Sequence, residues 1–211
     1  MRERLRHLLT WAALVVAVLL SPTALAATAA EARQFVKDQQ VKLMDLVRKG
    51  ANADVDRVFG DTLDYDAIAR DSLGDDWNGL KAAQQQQFRC LLERLVARAY
   101  HRDLKRTLDY AITFEEKVEE VPGKGFLVKS VVKSRTNARE DPVSIAYVVQ
   151  WNGERWRVRD IVTEGSSMVG SYESQFRRLL KRKGFEELIR KMEEKLGAVE
   201  SAACRDPRPA G

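Results

Sequence analysis

By sequence, Asp160 is the residue in this chain best placed to act as an acid or a base. It follows Trp156 and Val158 at intervals of two, so in an extended segment all three share one face and the carboxylate is drawn toward an apolar interior. Such burial raises a carboxylate's pKa and can turn it into a general base, as in isomerases that hold an Asp against a buried substrate. The competing reading is a structural aspartate that accepts hydrogen bonds from backbone amides or from an arginine at a sheet edge. That reading is favoured, because no obvious second polar group accompanies Asp160 to complete a site. The remaining candidates carry less. His101 stands beside Tyr100 with no Cys or His cluster at metal-ligand spacing. Gly165-Ser166-Ser167-Met168-Val169 lacks the second glycine of a nucleophile elbow, and neither a Walker A sequence nor G-x-G-x-x-G occurs. Cys90 reads as a buried inert thiol, and a disulfide to Cys204 has little to recommend it beyond an oxidising compartment. No metal, cofactor or nucleotide is expected.

The compartment is read from the N-terminus. Arg2, Arg4 and Arg6 precede the uncharged run Leu8 to Leu20, Ser21-Pro22 breaks it, and Ala24-Leu25-Ala26 supplies a cleavage pattern. This is the order of a signal peptide, residues 1–26, and the run is short of the roughly 20 residues a membrane span needs. The expected location is the periplasm of a Gram-negative envelope. Removing the leader takes three of the 36 basic and one of the 31 acidic residues, leaving 33 and 30, a net charge of +3. That balance and that location argue against nucleic acid as a partner and leave acidic lipid headgroups or an acidic protein face.

Residues 27–200 are expected to form one domain, with 201–211 as a disordered tail. Glu31 to Lys49 carries Phe35, Val36, Leu43, Leu46 and Val47 near one face and ends at Gly50; short helices follow from Asp54 and, capped by Asp64, from Tyr65. From Lys81 to Thr107 the residues Phe88, Leu91, Leu92, Leu95, Val96, Ala99, Tyr100 and Leu104 recur every three or four positions, which predicts a long helix. The period then becomes two, in Tyr110 to Phe114, Phe126 to Val132, Val143 to Trp151 and Trp156 to Val162, so a four-stranded antiparallel meander is expected. Helical spacing returns after Gly165 and breaks at Gly184. Helices, then a meander, then helices predict an α+β domain whose helices cover one face of a curved sheet. Arg98, Arg102, Lys105 and Arg106, and the run Arg177, Arg178, Lys181, Arg182 and Lys183, read first as solvated helix faces.

The ordered set Asp64-Tyr65-Asp66-Ala67-Ile68-Ala69-Arg70, Gly74, Trp77, Gln87-Phe88 and Tyr100 resembles the first half of the MlaC or toluene-tolerance family. The second half resembles it too, through Val143 to Val149, Gly153, Trp156-Arg157-Val158-Arg159-Asp160-Ile161, Glu164-Gly165-Ser166-Ser167, Tyr172, Gln175-Phe176 and Gly184. The chain departs from the family's pattern at Met168-Val169-Gly170-Ser171, where a bulkier polar stretch is common, and in its Pro-containing tail.

The resemblance implies a fold like that of nuclear transport factor 2, enclosing a cavity for the acyl chains of a phospholipid. It implies a monomeric periplasmic carrier, not an enzyme, that meets an inner-membrane ABC transporter complex and an outer-membrane lipoprotein and maintains outer-membrane lipid asymmetry. Leu92, Val96, Tyr100, Tyr147, Val149, Trp156 and Val158, chosen because periodicity turns them inward, are the expected cavity lining. The alternatives are an isomerase-like or hydrolase-like enzyme around Asp160, and a periplasmic adaptor with a fully packed core.

Overall fold

The computed structural model describes residues 28–205; the expected leader, residues 1–26, and the last six residues lie outside them. Helix α1 (Ala29–Lys49) starts in a capping box in which Thr28 accepts from the Glu31 amide and the Glu31 carboxylate accepts from the Thr28 amide. Its buried stripe of Ala32, Val36, Leu43 and Val47 follows the three-and-four spacing that puts side chains on one helix face. Helices α2 (Asn52–Thr62) and α3 (Tyr65–Leu73) follow, α3 capped by the Asp64 side chain accepting from the Ala67 amide at 3.0 Å. A 3₁₀ turn (Gly74–Gly79) leads to α4 (Ala82–Asp103), and a second (Leu104–Asp109) leads from α4 into the sheet.

Strands β1 (Tyr110–Val121), β2 (Gly125–Ser134), β3 (Val143–Trp151), β4 (Trp156–Thr163) and β5 (Ser166–Ser167) are antiparallel and adjacent in chain order. The α+β class agrees with expectation, but the meander has five strands and not four. The extra strand is two residues long, too short for alternation to reveal in the sequence. A glycine is required at Gly125, where φ is 95° and a Cβ would fall 2.2 Å from the Val149 carbonyl oxygen.

Two register shifts shape the sheet. In β1 the shift lies between Phe114 and Val118, and a bulge leaves ladder carbonyls without their usual partners. Arg33 of α1 takes them, donating to the Glu115 carbonyl at 2.7 Å and the Phe114 carbonyl at 3.4 Å while pairing with Glu116 at 2.6 Å. The second shift lies where Val148 pairs with Asp160 but Val149 pairs with Val158. Arg159 is therefore the extra residue, and the alternation of β4 changes phase after Val158.

Helix α5 (Met168–Leu196) bends at Gly184, which has φ 79° and ψ 179°, and α6 (Ala198–Ala202) follows. The expectation of a disordered tail from Ser201 is corrected as far as Arg205, because Ser201 and Cys204 are fully buried. The reading of Cys90 as an inert thiol is corrected as well: it is bonded to Cys204 across a sequence separation of 114. Residues this far apart give no sequence sign of proximity, and it is the packing of α5 and α6 that returns the chain end to α4.

Candidate functional site

One concave region joins the helices to the inner face of the sheet. Cross-strand pairing aligns Phe114 with Ser130, Ser130 with Ile145, Val128 with Tyr147 and Tyr147 with Ile161, so these residues share a face. Above it lies the buried stripe of α1, and Tyr100 closes one end from α4. Two small cavities result, of about 40 and about 90 Å³. Both are lined by Gln40, Leu43, Tyr100 and Tyr147, and together they form one crevice between α1 and the sheet. Val36, Val58, Phe59 and Ile161 extend it on one side, and Met44, Ile112 and Ile145 on the other.

Two linkages hold this arrangement from the edges. Arg157 donates to the carbonyls of Gly60 and Leu63 at 2.7 and 2.9 Å, and the Asp64 amide donates to the Val158 carbonyl at 2.9 Å. These bonds fasten the junction of α2 and α3 to β4. Tyr100 packs on Phe59 with ring centroids 4.2 Å apart, and Phe114 lies 6.3 Å from Tyr147. Burial pushes the Tyr147 phenol well above its ordinary 10.0 and raises that of Tyr100. Both remain neutral at physiological pH, because an ionised phenolate would lose its hydration there.

Chemically the crevice is an apolar slot with a few neutral polar groups. Its lining includes Gln39, Gln40 and Thr62, the Thr62 hydroxyl donating to Gln39 at 3.2 Å, but no carboxylate, imidazole, thiol or ammonium. Such a lining can hold hydrocarbon and hydrogen-bond its polar end. It offers no titratable pair for acid and base work near neutrality.

The seven residues expected to line a cavity divide. Tyr100, Tyr147 and Val158 reach the crevice. Leu92, Val96 and Val149 are 1%, 4% and 0% exposed and pack within the core. Trp156 sits at the end of the sheet between Phe126 and Trp151, with ring centroids 5.8 and 5.7 Å away. Sequence reasoning missed the contribution of α1. The apolar stripe through Val36 and Leu43 was legible, yet nothing local distinguishes a stripe that packs on a sheet from one that roofs a slot.

Asp160 is not on the inner face. The extra residue Arg159 turns it away from Val158, and Ile161 takes the inward place beside Tyr147. Its carboxylate accepts from the Ile161 amide at 2.8 Å, the Val169 amide at 3.0 Å and the Ser167 hydroxyl at 2.5 Å. Ser167 in turn caps α5, accepting from the Gly170 amide at 2.9 Å. The structural reading of Asp160 holds, and Ser167 is likewise a cap in this arrangement. His101 lies outside the crevice, with Nε2 2.5 Å from Asp56 Oδ1. Among the described residues no group of three or more His, Cys, Asp or Glu could hold a metal ion, and no helix is long and apolar enough to cross a membrane.

Comparison with known proteins places this architecture. No curated protein matches the chain. Among solved structures it superimposes on the phospholipid-binding protein from Ralstonia solanacearum, determined in complex with a phospholipid, with a TM-score of 0.67 and 21% identity over 83% of this chain and 99% of that one. At that identity the likeness establishes a shared fold. The family model described as MlaC protein matches residues 26–194, which include both walls of the crevice, the whole sheet and nearly all of the bent α5, and on that match the chain belongs to the MlaC family.

Proposed function

We propose that this protein is a periplasmic phospholipid carrier that shuttles lipid between the outer membrane and an inner-membrane ABC transporter, and so maintains outer-membrane lipid asymmetry. The observation that carries the proposal is the apolar crevice between α1 and the sheet, roofed by Val36 and Leu43 and floored by Tyr147 and Ile161. It occurs in a fold shared with a protein solved with a phospholipid bound. The carrier is needed because moving two acyl chains of about 16 carbons into water costs on the order of 25 kcal/mol at about 0.8 kcal/mol per methylene. Free diffusion of lipid across an aqueous gap is negligible against that barrier.

The crevice is small for such a cargo. Cavities of about 40 and about 90 Å³ fall well below the roughly 300 Å³ at which ligand pockets begin. Loading therefore requires α1 and the sheet to separate, and release requires the same motion. In this proposal membrane-bound partners drive it: the inner-membrane ABC transporter complex at one end of the route and an outer-membrane lipoprotein at the other. In this proposal the carrier is not an enzyme, a reading supported by the Asp160 carboxylate being taken up by the Ile161 and Val169 amides and the Ser167 hydroxyl.

Native mass spectrometry of the mature protein purified without detergent, followed by solvent extraction, tests the reading. Stoichiometric phospholipid is the expected result. An empty protein that takes up no lipid from vesicles would overturn it in favour of an adaptor.

A further inference from the structure

A concavity far larger than the crevice lies elsewhere in the described structure. Where α5 bends at Gly184, its two arms and α4 enclose a groove of about 980 Å³, at the upper end of the range occupied by molecules of drug size, roughly 300–1,000 Å³. Its apolar lining comes from Leu95, Phe176, Leu179, Leu188 and Met192. Its charged lining is Arg98, Arg178, Arg182, Lys183, Lys191 and Lys195, with no carboxylate among the lining residues. Arg178 and Arg182 are four apart on the first arm, and Lys191 and Lys195 are four apart on the second, so each pair forms a row on one helix face. Lys191 pairs with Glu194 at 2.9 Å, and Lys183 and Arg98 stand 4.0 Å from Glu187 and Glu200; Arg178, Arg182 and Lys195 have no ion-pair partner among the described residues. Neighbouring Arg177 differs, being paired with Glu173.

Unneutralised cations of one sign lining a concave surface focus positive potential into it, and guanidinium pairs match phosphate and carboxylate in geometry. A bare anion would use the charges and leave the apolar lining wet. An uncharged hydrocarbon would do the reverse. A flat bilayer cannot enter a groove between helices. We propose that this groove is a second ligand site, separate from the crevice, that binds a single-chain anionic amphiphile: its phosphate or carboxylate lies between Arg178, Arg182 and Lys195, and its chain lies along Phe176, Leu179 and Met192. The site does not depend on the carrier reading, because the residues lining the crevice and those lining the groove do not overlap.

The test is calorimetric titration of the mature protein with monomeric dodecyl phosphate, with dodecyl maltoside and inorganic phosphate as separate probes, repeated on R178E/R182E and on the milder R178Q/R182Q. All the substituted side chains are exposed, and circular dichroism checks that each variant is folded. One dodecyl phosphate per chain is expected, with affinity weakened about tenfold or more by R178E/R182E and also weakened by raising salt from about 0.05 to about 0.5 M. The two other probes should bind at least about tenfold more weakly than dodecyl phosphate. Equal binding to both charge variants would place the amphiphile in the crevice and overturn the proposal. Equal affinity for inorganic phosphate would reduce the groove to an anion patch. Binding to anionic vesicles through Arg178 and Arg182 without binding of the monomer would make it a membrane contact instead.

Discussion

The Ser167 hydroxyl donates to the Asp160 carboxylate at 2.5 Å, and Ser167 itself caps α5 by accepting from the Gly170 amide. This pair joins the last long strand to the longest helix, and the same carboxylate takes the Val169 and Ile161 amides. Asp160→Asn replaces an acceptor oxygen by an NH₂ donor and strands at least one of these partners, at a cost of about 1–3 kcal/mol. The melting temperature should fall by roughly 2–10 °C, with bound phospholipid per chain unchanged. Loss of lipid without loss of stability would return Asp160 to the binding machinery.

Leu43 lines both cavities and is 6% exposed, so enlarging it fills the crevice. Leu43→Trp is expected to reduce extractable phospholipid about fivefold or more, since a ligand and an overpacked side chain compete for one space. Leu92→Ala provides the contrast. Leu92 lies in the core away from the crevice, and its truncation should destabilise by about 2–5 kcal/mol while folded protein still carries lipid. If Leu92→Ala empties the folded protein and Leu43→Trp does not, the crevice is misplaced.

The Cys90–Cys204 bond closes a loop with a sequence separation of 114. Restricting the unfolded chain by a loop of that order stabilises by about 5 kcal/mol on the chain-entropy model. Reduction should lower the melting temperature by roughly 10–20 °C, measured by scanning calorimetry with and without reductant. A change confined to local fraying of α6, with the midpoint unmoved, would mean that the bond anchors only the chain end.

Burial, the leading cause in each case, raises the phenols of Tyr65, Tyr100 and Tyr147 above 10.0. Above that pH the unfolded chain releases tyrosine protons that the folded chain retains, so stability is fully present below pH 10 and declines as pH rises further. In an alkaline titration the tyrosinate absorbance of these residues should therefore appear together with the loss of helical circular dichroism. Their ionisation in a still-folded protein would show that water reaches them.

Periodicity alone located the long helices, the meander and the break at Gly184, because each is a local pattern in which neighbouring side chains report their own face. The family was legible for a related reason, since its aromatic, Gly and Asp positions recur in order along the chain. Inward positions such as Tyr147 and Val158 were equally readable. What alternation could not see was a single extra residue, Arg159, which turned Asp160 outward and brought Ile161 inward. Nor could it say which apolar face roofs a crevice and which fills a core: Leu43 and Leu92 are both buried leucines on amphipathic helices, and only their neighbours across space differ. The Cys90–Cys204 bond and the groove between the arms of α5 also come from tertiary packing, which joins parts of the chain that no local spacing relates.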